Sequence, residues 1–539
     1  MERLPILKSV VKWFPIYAVF IFLFGFLLAL YALLYFQPPG VPLRAADYVE
    51  NLPKDQVRIG VDSITGLYPN IPFANETLSL NSGIFEGLTA IRQGRVQPSL
   101  AESWTNPDPL TWRIKLRSNV KFHSGQILKA SDVRYTIEEA KKNEDWVSSF
   151  IAARVDSVKV VDDSTVELKT AKPDPTLLHW MVFLFILSEE QVKKDGLDKA
   201  SGTGPYKVSS FSKEEAVLEA NTGYWDGVPK VKKLIYTAFK DEESLVRGLE
   251  DGKIDISFVI EKVFDEGIKN KGLRIIPASN SGLGYIGFDA TSIKAKYVSS
   301  EKNPFADVKV RKAILLALDA EKLLKDAGSE NAALSQFATE DLVGFNSQLK
   351  RPAPNKIEAK KLLGEAGFPD GFEVTLDTAD FAKKIPEQIK LQLAEVGVMV
   401  KLNVVAESED FYNKLFSGDT SFYYLNYVAD TIDSTDLLNS FIHTVDKKTG
   451  KGSNNMTAYS NEKIDKLLDR ASAEFDSRQR AKIISQVHAE VMDELPLVPI
   501  DKTIVFFIVR DDVSFKPAPF GFIFGFELSG RQKASNTTQ

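Results

Sequence analysis

The sequence predicts a mixed α/β fold preceded by one hydrophobic helix. Segments with strand-like alternation and segments with helical periodicity follow one another through most of the chain. A single uncharged apolar run lies near the amino terminus, apart from these segments. The 539 residues, of which 44% are hydrophobic and 11% aromatic, suffice for several packed cores, so disorder is excluded as the main state.

The apolar run Trp13–Phe36 predicts a transmembrane helix. At 1.5 Å per residue it reaches about 36 Å, enough to cross a hydrocarbon core of roughly 30 Å with some tilt. Residues 1–12 contain three basic residues, which predicts a cytoplasmic leader and an extracytoplasmic body. The alternative is a cleaved signal peptide, but this run exceeds the 7–15 apolar residues typical of one. Residues 37–54, with four prolines, are interpreted as a semi-rigid spacer.

The body after the spacer shows its element signals in a regular succession. The stretch Leu177–Leu187 is too short to span a membrane and is expected to be buried. Residues 529–539 are interpreted as a frayed polar tail. The strongest signals predict strands Val57–Val61 and Trp112–Leu116, a helix capped by Ser131, a hairpin over Val155–Leu168, and helices Lys356–Gly367, Ile385–Val396 and Asn461–Phe475.

Composition and motif searches exclude several kinds of chemistry. The chain has no cysteine, which rules out disulfides, thiolate metal sites and a lipidated cysteine. The four histidines lack metal-site spacing, and His123 and His488 are interpreted as structural. There is no GxSxG elbow and no phosphate-binding loop, and a net charge of −6 argues against nucleic-acid binding. No catalytic residue, metal or cofactor is therefore predicted, although a chain with 73 acidic residues leaves a surface-anchored hydrolase open.

One GxGxxG pattern occurs, formed by Gly282, Gly284 and Gly287. A dinucleotide fingerprint requires such glycines to lead from a strand into a helix. A polar stretch without helical periodicity follows here, so the glycines are predicted to lie in or beside a strand.

Seven segments carry a family resemblance when they are taken in order. They resemble landmarks of the extracellular solute-binding proteins of ABC importers, in the large peptide-binding family, and the resemblance covers about residues 56–528. Each segment alone is weakly specific, whereas the ordered set is highly specific. The segments are Pro98–Val133, Gly202–Val208, Asn221–Val228, Asn303–Asp319, Ala366–Leu376, Asn461–Ile464 and Leu495–Ile500.

The resemblance implies a two-lobed periplasmic-binding-protein fold of type II-like architecture, with an extra subdomain in lobe I. Hinge crossings are expected near residues 272–290 and 488–500. The implied boundaries are lobe I over 55–275 plus 490–528, an inserted subdomain at 81–200, and lobe II over 276–489.

The resemblance also implies a function. The chain is expected to bind peptides, most simply short oligopeptides, in a cleft between its lobes and to deliver them to a permease driven by separate ATPase subunits. It is expected to be a monomer that makes and breaks no bond. Alternatives are another solute on the same fold, such as a sugar or a nickel complex, and a sensor or adhesion receptor without transport.

The stretch NYVADTIDSTDLLNSF is similar to the segment with which this family holds the ammonium group of a peptide. Asp430 matches the ammonium-binding aspartate, Asp433 matches a second acid, and Tyr427 stands where the family usually has tryptophan. Ser434 stands where the family usually has proline, so this segment departs from the family pattern at two positions, Tyr427 and Ser434. The alternative is that Asp430, Asp433 and Asp436 form a solvated acidic loop and a helix cap.

Overall fold

A computed structural model describes most of the body of the chain. The predicted leader, transmembrane helix and spacer (1–12, 13–36 and 37–54) and residues 531–539 lie outside the described residues. Within the described part, no helix combines the length and hydropathy needed to cross a bilayer. The described residues are 55–67, 75–92, 94–144, 146, 148–199, 201–260, 264, 266–291, 293–518, 521–525 and 528–530.

The described residues form two compact units. Unit 1 contains residues 55–278 and 505–530, and unit 2 contains residues 279–504. The chain passes between the units inside two long strands, Leu273–Phe288 and Leu497–Arg510. Unit 1 is therefore built from two separated stretches of sequence, whereas unit 2 is continuous.

The main sheet of unit 1 is mixed. Strand Gln56–Val61 is central and runs parallel to Lys233–Ala238 on one side and to Ile256–Val259 on the other. Glu215–Ala220 and Tyr206–Phe211 extend the sheet with antiparallel pairing. The central strand is largely buried, as expected for a strand that is covered on both faces.

A second sheet of unit 1 lies within the predicted 81–200 subdomain and is antiparallel. Its four strands follow the order Ala101–Asp108, Thr111–Leu116, Thr165–Lys169 and Ser157–Asp162. Thr111–Leu116 alternates buried and exposed residues over most of its length, which confirms the predicted half-buried strand. The predicted hairpin is confirmed by the pairing of the last two strands.

The helix predicted after Ser131 is present, but its predicted cap is wrong. The helix spans Ala130–Lys142, so Ser131 lies inside its first turn. Lys129 is the N-cap residue, and the Asp132 carboxylate accepts a hydrogen bond from its backbone N–H at 2.8 Å. An acid in the first turn thus satisfies a backbone donor that a serine cap leaves unpaired.

The remaining elements of unit 1 are short. The predicted burial of Leu177–Leu187 is confirmed, since nearly all of its side chains are buried. The start of the predicted polar tail is not frayed, because Ser529–Gly530 pairs with Val513–Ser514. The other strands are Thr89–Arg92 and Arg95–Pro98, and the helices are Asn75–Ile84, Ser148–Ala153, Leu177–Trp180, Glu189–Asp195, Leu197–Lys199, Glu242–Glu250 and Glu266–Lys271.

The sheet of unit 2 carries the segment that resembles the peptide-binding motif. Strand Phe372–Ala379 runs parallel to Val398–Val405 and to Phe422–Val428. Residues Gly282–Phe288 of the first crossing strand pair with Phe422–Val428 in antiparallel register. Ala332–Ala333 pairs with residues 501–502 of the second crossing strand.

Helices cover this sheet and enclose two apolar cores. The predicted helix at Lys356 is confirmed over Lys356–Glu365, and Gly367 follows it with a φ of +92° that suits glycine. The helices of unit 2 are Pro304–Ala306, Val308–Ala317, Ala320–Asp326, Lys356–Glu365, Asp380–Ala382, Lys384–Ala394, Ser408–Phe416, Ser434–Phe441, Glu462–Ala473 and Ser477–Glu494.

The GxGxxG glycines lie in the first crossing strand, which confirms the strand interpretation. Each one permits a close approach of a side chain. A Cβ at Gly282 would lie 2.6 Å from the Thr503 hydroxyl, and one at Gly284 would overlap the Asp501 carboxylate and the Tyr424 hydroxyl. The glycines are therefore required by packing within unit 2.

Candidate functional site

The candidate site is the short loop 429–433 of unit 2, between strand Phe422–Val428 and helix Ser434–Phe441. Tyr427 is the second-last residue of the strand and Asp430 lies in the loop. The sheet therefore fixes one end of the site and a helix amino terminus fixes the other.

Tyr427 and Asp430 are brought together. The Tyr427 hydroxyl donates a hydrogen bond of 2.5 Å to Asp430 Oδ2, and the Tyr427 ring packs edge-on against Phe441 with centroids 4.6 Å apart. Burial, reinforced by the adjacent Asp430 carboxylate, raises the pKa of the Tyr427 hydroxyl well above its usual value. The phenol therefore stays protonated and directs a carboxylate that is itself only partly buried.

Asp433 is placed differently from Asp430. It is 1% exposed, and it is the N-cap residue of helix Ser434–Phe441. Its Oδ1 accepts a hydrogen bond from Thr435 N at 3.0 Å, and its Oδ2 accepts one from Arg480 Nε at 2.9 Å. Arg480 is 3% exposed and lies on helix Ser477–Glu494. Both oxygens of Asp433 are thus engaged inside unit 2, in the cap arrangement that the sequence left open.

Asp436 is the third acid of this segment. It lies in the first turn of helix Ser434–Phe441, where a negative charge complements the helix dipole. Thr431 Oγ1 donates a hydrogen bond of 3.4 Å to Asp436 Oδ2. The charge of Asp436 also contributes to the raised pKa of the Tyr427 hydroxyl, so two carboxylates act electrostatically on that phenol.

Backbone contacts hold the loop at both ends. Ala429 N donates to Ser281 O at 3.1 Å, next to the point where the first crossing strand enters unit 2. Ser281 has a φ of +61°, a left-handed conformation that is uncommon for serine. At the far end, Val343 N donates to Ile432 O at 2.8 Å and Ser434 N donates to Val343 O at 3.2 Å.

A second buried carboxyl group of unit 2 lies on the other crossing strand. Asp501 is fully buried and accepts hydrogen bonds of 2.7 Å from the Tyr424 hydroxyl and from Asn331 Nδ2. Burial raises the pKa of Asp501 to about 6. Tyr424 belongs to the same strand as Tyr427, so this network holds the strand that leads into the candidate loop.

The remaining polar groups of interest have structural surroundings. His123 Nε2 lies 2.9 Å from Gly204 O, and burial lowers the pKa of His123 to about 4. Glu86 is buried in unit 1, where Tyr224 and Thr203 donate to it at 2.7 and 2.8 Å. Across the described ranges, no three acidic or histidine side chains are grouped so that they could hold a metal ion.

Two α/β units between which the chain crosses in two strands are the architecture of two-lobed α/β binding proteins. Comparison with known families identifies the member of that class. A family described as bacterial extracellular solute-binding proteins, family 5 (middle), matches residues 95–449, and the chain belongs to this family. It is an ABC-importer solute-binding protein of the peptide-binding type, and its fold is that of the periplasmic binding proteins.

Individual relatives bind different solutes. The chain is 25% identical to the glutathione-binding protein GsiB of Salmonella typhimurium over 79% of its own length and 85% of the relative. It is 26% identical to heme-binding protein A of Haemophilus influenzae over 83% of its own length and 87% of the relative. The solved structure of MppA, a periplasmic murein tripeptide-binding protein in its unliganded open form, has a TM-score of 0.77 at 20% identity, covering 88% of this chain and 97% of that one.

Arg480 belongs to the site region but is not predictable from the sequence. It stands among other basic residues at the start of a helix, 47 positions after Asp433, and no local pattern links the two. Only the folded packing of the helix against the loop brings their charges together.

Proposed function

We propose that this chain is the membrane-anchored substrate-binding subunit of an ABC importer and that its ligands are short peptides with a free amino terminus. Ligand binding is its whole task, and the partner permease and ATPase subunits perform the transport. The chain itself carries out no enzymatic step.

The observation that carries the peptide proposal is the Tyr427–Asp430 pair. A carboxylate that is partly buried and directed by a phenol is suited to receive an ammonium group, since charge-assisted hydrogen bonds are the strong ones. Two relatives, a murein tripeptide-binding protein and a glutathione-binding protein, support a peptide-like ligand. Asp433, with both oxygens engaged, anchors the last residue of the loop.

The Asp430→Asn substitution tests the ligand contact. We expect the affinity for peptides with a free amino terminus to fall about tenfold or more, because a charge-assisted hydrogen bond contributes about 1.5–3 kcal/mol. Thermal shift and calorimetric titration with a random tripeptide library measure the loss. Asp370→Asn, at an exposed aspartate elsewhere in unit 2, is the matched control and should bind as the unaltered chain does. Equal affinities of the Asp430→Asn variant and the unaltered chain contradict the contact.

A second solute class is favoured by one specific relative. Heme-binding protein A covers most of this chain, so a tetrapyrrole is the alternative ligand. Mass spectrometry of small molecules released from the purified chain, together with absorbance near the Soret band, separates the two. A bound tetrapyrrole, or the absence of any peptide in repeated preparations, contradicts the peptide proposal.

The anchoring proposal rests on the uncharged run Trp13–Phe36. Alkaline carbonate extraction of membranes should leave the full chain in the pellet and release a chain that begins at residue 37. Release of the full chain by carbonate contradicts the anchor.

A further inference from the structure

The buried ion pair Arg480–Asp433 holds the end of the candidate ligand loop that leads into helix Ser434–Phe441. Arg480 Nε donates to Asp433 Oδ2 at 2.9 Å, and Arg480 Nη1 donates to Glu474 O at 2.9 Å. The two side chains are 4% and 0% exposed. Because Arg480 lies on helix Ser477–Glu494, its contact with Asp433 ties the loop to that helix, and its contact with Glu474 fixes the direction of the guanidinium.

Stability alone is a weak reason for such a pair. Removing two charges from water offsets most of their attraction, and buried ion pairs can often be replaced by apolar side chains at no loss of stability. What a buried guanidinium–carboxylate contact supplies is a defined distance and direction. The ion pair therefore acts chiefly on the position of the segment that contains Asp433.

That segment contains Asp430, three residues before Asp433. Three residues of extended chain span at most about 11 Å, so a displacement of Asp433 is transmitted to Asp430 over a short length of backbone. The bonds from Ala429 to Ser281 and between Ile432 and Val343 leave the loop little freedom between its ends. The anchor on Asp433 completes this restraint from the helix side.

We propose that Arg480, acting through Asp433, is a positioning residue that holds the 429–433 loop so that Asp430 meets the ammonium group of the ligand. Arg480 thereby sets the selectivity of the site for a free amino terminus without touching the ligand. This inference rests on the proposed function, because it requires Asp430 to be the ammonium contact.

The test compares two ligand pools on the full chain: a random tripeptide library with free amino termini and the same library after acetylation. The ratio of the two affinities measures recognition of the ammonium group. A general loosening of the fold lowers both affinities equally and leaves the ratio unchanged. The ratio is therefore a readout that a merely structural role does not move.

Arg480→Gln and Asp433→Asn are the test variants. Asp433→Asn keeps an oxygen that can cap the helix at Thr435, so it carries the test should Arg480→Gln fail to fold. We expect the unaltered chain to prefer free amino termini by about tenfold or more. Both variants should lose most of that preference, and Arg480→Lys, which restores a charge without the planar fork, should recover part of it.

Arg311→Gln is the matched control. Arg311 is 4% exposed and also lies in unit 2, but its guanidinium donates to the carbonyl oxygens of Glu494, Phe305 and Ala306, and none of these hydrogen bonds reaches the loop. This variant should lower the melting temperature and leave the affinity ratio unchanged.

The outcomes separate the two levels of the proposal. If Asp430→Asn abolishes the preference while Arg480→Gln and Asp433→Asn both retain it in full, the positioning role is overturned and the ligand contact stands. If the unaltered chain binds neither pool, or binds both equally, the ammonium contact itself is wrong and the positioning role falls with it.

Discussion

The fully buried imidazole of His488 makes the stability of unit 2 depend on pH. His488 lies on helix Ser477–Glu494, on the same face as Ile484 and Val491, and all three side chains are buried without measurable exposure. Neither ring nitrogen has a hydrogen-bond partner among the residues that the structure describes. Burial lowers the pKa of His488 to about 3, because a charged imidazolium would have to leave water.

The sign of the effect follows from the two protonation equilibria. In the unfolded chain His488 takes up a proton as the pH falls through about 6.5, whereas the folded chain resists protonation until about pH 3. The contribution to stability is therefore complete above pH 6.5 and is lost progressively below it. At pH 4.5, two pH units below the unfolded value, the loss is about 3 kcal/mol.

The substitution His488→Leu isolates this contribution. Urea unfolding of the variant and of the unaltered chain is compared at pH 7 and pH 4.5, and the change in their difference should be about 3 kcal/mol in favour of the variant at the lower pH. The difference cancels the other titrating groups, including His123, whose pKa burial lowers to about 4. His488→Gln keeps a buried polar group that does not titrate, so its stability difference from the unaltered chain should change with pH by the same amount as that of His488→Leu. A stability difference that does not change with pH would refute the buried, unprotonated imidazole.

Two further predictions concern the hydrogen-bond network around Asp501. Burial raises the pKa of Asp501 to about 6, so the folded chain takes up a proton at Asp501 as the pH falls from 7 to 5, and its free energy of unfolding should rise by about 1 kcal/mol relative to that of the Asp501→Asn variant, as measured by urea unfolding. A difference that stays constant over this pH range would contradict the raised pKa. Gly284→Ala should destabilise the chain by about 3 kcal/mol or more, because the added Cβ overlaps Asp501 and Tyr424. Gly364 lies in a helix with no atom within 4 Å of an added Cβ, so Gly364→Ala should stabilise the chain by about 1 kcal/mol. Equal melting temperatures for the two alanine variants would contradict the tight packing at Gly284.

Local patterns in the sequence predict the elements of this fold well where one side chain or one hydrophobic period decides the outcome. The alternation of apolar and polar residues predicts strand Thr111–Leu116. Helical spacing, together with the stop at Gly367, predicts helix Lys356–Glu365. The cap at Ser131 was wrong because the same short stretch offers two ways to satisfy the first backbone donors. The acid at Asp132 reaches back to Lys129, so the helix cap lies two residues earlier than predicted.

The candidate site shows where local patterns stop. The family resemblance points to Asp430 and Tyr427, and the folded loop joins them by a hydrogen bond. The pairing of Asp433 with Arg480 depends on how a helix far along the chain packs on the loop, and no periodicity encodes it. The glycines of the crossing strand are predictable as strand glycines, but two of the groups that require them, Thr503 and Asp501, belong to a strand more than 200 residues later.

The interrupted sequence of unit 1 has a consequence for synthesis of the chain. Unit 2 is one continuous stretch, whereas residues 505–510 form a strand of the unit 1 sheet beside Ile256–Val259. About 200 residues of unit 2 separate that strand from the rest of unit 1. At roughly 5–20 residues per second, the edge of the unit 1 sheet stays unpaired for about ten seconds or more while unit 2 emerges. The first unit to begin synthesis is therefore the last to complete its sheet, and an unpaired edge of this kind is the surface that chaperones have to protect.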